Sequence, residues 1–119
     1  MESGSAIFYT ITVKSIKFKK EHFMIESFGD PATEDLFHNR QTRRARSFPP
    51  NIAHAALRKL DVIETAHRLQ DLRTPPGNRL ESLKGNLQGF YSIRVNEQWR
   101  IIFRWSENSA HQVSLTDYH

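Results

Sequence analysis

Residues 91–105 read YSIRVNEQWRIIFRW, and this stretch decides the fold. Every second residue is apolar up to the turn-forming residues 96–98, and the alternation then resumes from Trp99 to Trp105. Apolar side chains at a period of two predict two antiparallel strands, each with one face against a core.

The same pattern extends to both sides of this hairpin. Residues 106–109 turn the chain again, into a strand with Val113 and Leu115 on one face. Residues 79–83 predict a further strand in front of it. The sequence therefore predicts a four-stranded antiparallel meander whose apolar face packs on helices.

Helical patterns precede the breaker at residues 75–77. The firmest is an amphipathic helix over residues 50–66, for which Asn51 is a candidate N-cap. Asp30 and the following proline predict the start of a brief helix over residues 32–38, and residues 24–28 predict a short strand. The fold class is α+β, a compact domain with an antiparallel sheet against two or three N-terminal helices.

The composition bounds the class of protein. The chain has 119 residues, of which 38% are hydrophobic and 25% charged, which fits one folded domain and excludes a wholly disordered chain. It contains no cysteine, which excludes disulfides and thiolate metal sites. No apolar run is long enough to span a membrane, and we expect no cleavable leader, because the lysines of residues 1–23 follow its apolar segment instead of preceding it. We expect a cytoplasmic protein.

The net charge of +4 divides evenly along the chain. Residues 1–23 contain four lysines and two glutamates, whereas residues 24–119 contain 13 basic and 11 acidic residues. We interpret residues 1–23 as an N-terminal extension and residues 24–119 as the domain. A basic excess of this size suits an anionic partner without identifying one.

Several cations share the second face of the predicted sheet. By strand parity this face collects Arg94, Arg100, Arg104 and Tyr118, with Lys84 at the end of the first strand. Arginine offers a planar fork of donors and lysine a point charge, both suited to a phosphate. Solvated surface arginines are the simpler alternative for each one. Residues 40–46 hold four more arginines, which form either a solvated loop or a phosphate-contacting surface.

The motifs of most other chemistries are absent. The sequence has no serine-nucleophile motif and no glycine-rich phosphate loop, and no two histidines have helical metal-ligand spacing. We predict no metal and no cofactor. The remaining side chains can still transfer protons and stabilise negative charge. RNA cleavage needs little else from a protein, because the 2′-hydroxyl of the RNA is itself the nucleophile.

The C-terminal half contains a series of ordered motifs: Pro75-Pro76-Gly77-Asn78-Arg79-Leu80-Glu81, Leu83-Lys84-Gly85, Gly89, Tyr91-Ser92-Ile93-Arg94-Val95-Asn96, Gln98-Trp99-Arg100-Ile101 and Asp117-Tyr118-His119. With these motifs the chain resembles the HigB toxins, the plasmid-maintenance killer branch of the RelE superfamily. The resemblance runs from residue 24 to residue 119.

The resemblance implies a toxin of a type II toxin-antitoxin system. Such a protein enters the ribosomal A site and cuts mRNA without metal, by 2′-hydroxyl attack, and a HigA-type helix-turn-helix antitoxin neutralises it. By motif position, Lys84, Arg100, Tyr118 and His119 match residues tied to RNA binding and cleavage. We predict RNA-backbone contacts for the remaining arginines of the basic segments: Arg43, Arg44, Arg46, Arg79, Arg94 and Arg104.

Glu81 is a departure from the family pattern. Some relatives place a histidine there, so either Glu81 acts as the base or catalysis relies on Tyr118 and His119. Two rival functions stay open: a ParE-like toxin that inhibits DNA gyrase without catalysis, and a catalytically weak RNA- or ribosome-binding module.

Overall fold

Three helices precede a four-stranded sheet in a computed structural model that describes residues 24–117. The helices are α1 (Pro31–Phe37), α2 (Arg43–Arg46) and α3 (Pro50–Thr65). The strands are β1 (Glu81–Ser82), β2 (Tyr91–Arg94), β3 (Trp99–Ser106) and β4 (Ser109–Asp117), and short 3-10 turns occur at Leu69–Arg73, Pro76–Asn78 and Gly85–Leu87. The predicted α+β class is confirmed.

The sheet is the predicted meander, with its strands in sequence order and every pair antiparallel. The turn between β3 and β4 places Glu107 and Asn108 at φ 51° and 61°, the left-handed region that a tight hairpin requires. The predicted strand over residues 24–28 exists only as two parallel bridges beside β4, Ile25 to Ala110 and Phe28 to Val113.

The core lies between α3 and one face of the sheet. Helix α3 presents its apolar stripe to this face because its large residues recur every three or four positions. The fully buried side chains include Leu60, Ile63, Ile93, Ile101 and Phe103. Burial of Ile93, Ile101 and Phe103 fixes the strand register, since a slip of one residue would move all three to the opposite face. The register also fixes which side chains lie on the opposite face.

Two local predictions were wrong. Asn51 does not cap α3, because the helix already begins at Pro50, whose fixed φ suits the first helical position, and Pro49 stands at the N-cap without a side-chain bond. The first strand does not span residues 79–83. Arg79 has φ 47°, which breaks an extended segment, so only Glu81 and Ser82 pair with β2.

The start of α1 is as predicted. The Asp30 carboxylate accepts a hydrogen bond from the Thr33 amide at 2.7 Å, and a proline occupies the first helical turn. The Thr33 hydroxyl in turn accepts a bond from the Leu115 amide at 2.9 Å. This contact ties the helix to β4, so the cap also positions α1 against the sheet.

A buried carboxylate organises the basic segment that follows α1. Asp35 accepts hydrogen bonds from Arg44 Nε at 2.6 Å, the Thr42 hydroxyl at 2.8 Å and Arg40 Nη1 at 3.1 Å. Its side chain is 2% exposed. The hydrogen bond from Arg44, together with those from Thr42 and Arg40, lowers the pKa of Asp35 from 3.8 to about 2 against the effect of burial. The Asp35 carboxylate therefore holds the basic segment against α1.

Asp35→Asn is expected to destabilise the protein at neutral pH, because two arginines lose their anionic partner. A carboxyl whose pKa is lower in the folded than in the unfolded state stabilises above the unfolded value and loses that effect as the pH falls. The difference in free energy of unfolding between the two proteins should therefore be full at pH 7 and shrink between about pH 4 and pH 2. Urea unfolding across this range measures it.

Asp61→Asn is the matched control, since Asp61 is exposed on α3 and should leave stability unchanged. A difference between Asp35→Asn and the wild type that stays constant from pH 5 to pH 2 would contradict this account of Asp35.

Some expectations concern residues that the structure does not describe. The extension over residues 1–23, Tyr118 and His119 all lie outside residues 24–117. The domain boundary at residue 24 therefore stays a prediction. Within residues 24–117, no helix has the length and apolar character needed to cross a lipid bilayer.

Candidate functional site

The candidate site is built around Arg100 on the face of the sheet away from α3. Strand parity places Arg100 on this face, but its side chain is only 11% exposed. Its Nε donates to the Ser92 hydroxyl at 2.8 Å, and its Nη2 donates to the Arg79 carbonyl at 2.7 Å. The buried Ser92 hydroxyl and the Arg79 backbone carbonyl thus orient one guanidinium, which crosses β2 towards β1.

Glu81 lies beside this guanidinium. Because Glu81 pairs with Ser92, both side chains are on the same face, and Glu81 Oε1 is 3.9 Å from Arg100 Nη2. That separation is an ion pair but exceeds a hydrogen bond. The Glu81 side chain is 53% exposed. A carboxylate is therefore available to solvent next to an oriented cation.

Lys84 follows β1 and is exposed. It is three positions after Glu81, which on an ideal strand would put the two side chains on opposite faces. The strand ends at Ser82, however, and the chain enters the 3-10 turn Gly85–Leu87 directly after Lys84. The strict alternation of a strand therefore does not apply to Lys84.

Arg94 and Arg79 flank the site in different ways. Arg94 is directly opposite Arg100 in the register and lies 3.8 Å from Glu97, with 29% of its side chain exposed. Arg79 is exposed, and its left-handed backbone directs its carbonyl at Arg100. The backbone of Arg79 thus has a structural part in the site in addition to its charge.

Arg104 lies further along β3 on the same face. Its guanidinium carbon is 4.3 Å from the centroid of the Phe90 ring, and its Nε donates to Gln112 at 2.9 Å. The sheet therefore places Glu81, Arg94, Arg100 and Arg104 on one face, as strand parity predicted for the arginines.

The arginines of the first basic segment do not belong to this cluster. Arg43, Arg44 and Arg46 lie on α2, and the side-chain contacts of Arg44 and Arg46 are within the helical layer. Arg44 binds Asp35, and Arg46 Nη1 donates to the Gln41 carbonyl at 2.6 Å. Arg43 is exposed beside Thr42 and Ser47. None of these bonds reaches the sheet, so their predicted RNA contacts would form a separate surface.

The chain end approaches the site through β4. Thr116 is opposite Arg100, and Asp117 is opposite Trp99 and accepts a hydrogen bond from Gln98 Nε2 at 3.0 Å. Tyr118 and His119 follow directly after this described end, so their assignment to the site rests on the sequence. Within residues 24–117 no group of three His, Asp or Glu side chains is arranged to hold a metal ion.

Sequence reasoning missed the residues that hold the site rather than form its surface. Ser92 orients Arg100 and is fully buried, and Asn78, the residue before Arg79, is fully buried as well. Asn78 Nδ2 donates to the Leu72 and Thr74 carbonyls at 3.1 and 3.2 Å, and its Oδ1 accepts from Lys59. No spacing of residues in the sequence indicates these contacts. A polar residue inside a strand of apolar neighbours is the only signal that Ser92 offers.

Comparison with known proteins assigns the chain to a family. The sequence model for the HigB-like toxin, described as the RelE-like toxin of type II toxin-antitoxin system HigB, matches residues 26–119. The chain belongs to this family. The resemblance read from its motifs is confirmed, and membership in a type II system implies an antitoxin as partner.

Two relatives illustrate the similarity of this HigB-like toxin to characterised sequences. Toxin HigB-1 from Vibrio cholerae serotype O1 is 44% identical over 87 residues, which cover 73% of this chain and 90% of that protein. Endoribonuclease HigB from Proteus vulgaris is 30% identical over 96 residues, which cover 81% of this chain and 100% of that protein.

A solved structure shows the same fold. A chain of the YoeB-YefM complex from Staphylococcus aureus aligns with a TM-score of 0.50 at 23% identity, covering 80% of this HigB-like toxin and 97% of that chain. At this identity the similarity concerns the architecture.

Proposed function

We propose that this HigB-like toxin is an endoribonuclease that cleaves mRNA bound in the ribosomal A site. The observation that carries the proposal is Arg100, whose guanidinium is oriented by Ser92 and the Arg79 carbonyl beside an exposed carboxylate. A cation fixed before substrate arrives stabilises developing charge without reorganising. The similarity to a protein named Endoribonuclease HigB supports the same activity.

The reaction needs one bond formed and one broken at phosphorus. The 2′-oxygen attacks the adjacent phosphorus, its proton passes to a base, and the bond from phosphorus to the 5′-oxygen breaks. The leaving oxygen takes a proton from an acid, which leaves a 2′,3′-cyclic phosphate and a 5′-hydroxyl. Arg100 and Lys84 would neutralise the equatorial oxygens of the crowded phosphate, where negative charge increases most.

Glu81 is the base in this proposal. Its carboxylate shares the face of Arg100, is half exposed, and makes no hydrogen bond within the described part of the chain, so its oxygens can accept a proton from the 2′-hydroxyl. Tyr118 or His119 would supply the proton to the leaving oxygen, as their motif position implies. Arg79 and Arg94 would hold the neighbouring backbone through charge.

The same proposal specifies the partners. A HigA-type helix-turn-helix protein is the antitoxin, and the ribosome presents the mRNA. A ribosomal target places the active protein in the cytoplasm.

The test is cleavage of a defined mRNA by the purified protein, with and without ribosomes. We expect a cut only on the ribosome, a 5′-hydroxyl on the downstream product, and no cut when the nucleotide before the scissile phosphate is a 2′-deoxynucleotide. Cleavage that survives this 2′-deoxy substitution would exclude the proposed chemistry.

Two further readouts separate the rival functions. Inhibition of gyrase supercoiling with no effect on mRNA would identify a ParE-like toxin. Ribosome binding without new mRNA 5′ ends would identify a binding module that lacks catalysis.

A further inference from the structure

Arg104 is a second oriented guanidinium, and its environment is built to hold it. The Phe90 ring lies under the guanidinium at 4.3 Å, within the range of a cation–π contact, and Gln112 accepts from Nε at 2.9 Å. Gly89 allows the close approach, because a Cβ atom there would lie 2.7 Å from Arg104 Nη1. Phe90 and Gln112 thus hold a side chain that is nevertheless exposed, and Gly89 leaves room for it.

The outer edge of this guanidinium is open to a ligand. Within residues 24–117, no protein group forms a hydrogen bond with Nη1 or Nη2 of Arg104. These two nitrogens carry four of the five N–H donors of an arginine. Because the stacking and the bond to Nε already restrict rotation, a ligand would meet a donor fork whose ordering costs less conformational entropy on binding.

The position of Arg104 relative to Arg100 defines which group it could bind. They are four positions apart on one strand, so their Cα atoms are about 13 Å apart. The Arg100 side chain crosses towards β1, whereas Arg104 turns to Phe90 near the start of β2. The two guanidinium groups therefore cannot hold the same phosphate.

We propose that Arg104, oriented by Phe90, binds a backbone phosphate of the RNA substrate other than the scissile one. This inference rests on the proposed function and deepens it, because it gives the RNA strand a course along β3. A contact to an unreacting phosphate strengthens the binding of substrate and transition state equally. Its loss should therefore weaken binding and leave the chemical step unchanged.

The experiment measures single-turnover cleavage of mRNA-programmed ribosomes at increasing concentrations of the full-length protein. For Arg104→Gln we expect the concentration giving half the maximal rate to rise about tenfold, with a maximal rate within about twofold of wild type. The slope of log affinity against log salt should decrease by about 0.7, the effect of one phosphate contact to a single strand.

Two further variants define the cause. Phe90→Leu keeps an apolar side chain but removes the ring face, and it should raise the half-maximal concentration about threefold. Arg58→Gln makes the same charge change at an exposed position on α3 and should alter neither the half-maximal concentration nor the salt slope.

The outcomes separate this inference from the function on which it rests. If the wild type cleaves and Arg104→Gln matches it in half-maximal concentration and salt slope, the Arg104 site is wrong and the endoribonuclease stands. A fall in maximal rate alone, or a loss confined to antitoxin binding, also overturns the site. If the wild type does not cleave, the proposed function fails and this inference fails with it.

Discussion

Arg100→Lys is expected to lower the rate of mRNA cleavage by about 100-fold or more, although the positive charge is kept. The guanidinium bonds to the Ser92 hydroxyl with one nitrogen and to the Arg79 carbonyl with another. A lysine ammonium is a single point of donation on a flexible stem and cannot reproduce two fixed bonds in different directions. The positive charge would then no longer be fixed beside the phosphate oxygens, on which negative charge increases in the transition state.

Single-turnover cleavage on programmed ribosomes measures this effect, and urea unfolding shows whether the variant keeps its fold. Arg58→Lys, the same exchange at an exposed position of α3, should cleave at the wild-type rate. Arg100→Ala should lose at least as much activity as Arg100→Lys. If the folded Arg100→Lys protein cleaves as fast as wild type, the geometry of the guanidinium has no part in the reaction.

The sheet and its two faces could be predicted because apolar and polar residues alternate along a strand that is buried on one face. A period of two in residues 91–105 places Ile93, Ile101 and Phe103 inside, and the same parity puts Arg100 and Arg104 on the other face. Helix α3 was predicted for the equivalent reason, since its apolar residues have helical spacing. Regular elements repeat their environment, so the pattern appears in the sequence.

The contacts that make this face of the sheet a functional site do not recur at a regular spacing in the sequence. The orientation of Arg100 depends on Ser92 and a backbone carbonyl, and every residue has a carbonyl, so this contact cannot be predicted from residue type. The left-handed Arg79 both shortens the first strand and supplies that carbonyl. Asp35 reaches partners five and nine residues later, which matches no helical or strand period. Such contacts depend on the conformations of irregular segments, which the spacing of apolar residues does not predict.

Glu81→Gln is expected to lower the maximal rate of cleavage by a factor between about 100 and 10,000, the usual contribution of a general base. The exchange keeps the size and polarity of the side chain but removes the carboxylate that accepts the proton. Glu81 lies 3.9 Å from Arg100 without a hydrogen bond to it, so the guanidinium should keep its bonds to Ser92 and Arg79. The loss should therefore appear in the maximal rate and not in the half-maximal concentration.

Glu81→His provides the sharper test, because it replaces one base by another. An imidazole at this position should restore much of the cleavage lost in Glu81→Gln, and the acidic limb of its pH profile should fall near the ordinary histidine pKa of about 6.5. Asp61→Asn, which neutralises an exposed acid on α3, should leave rate and pH profile unchanged. If Glu81→Gln cleaves at the wild-type rate, then Tyr118 and His119 must handle both protons, and Glu81 serves only as a neighbour of Arg100.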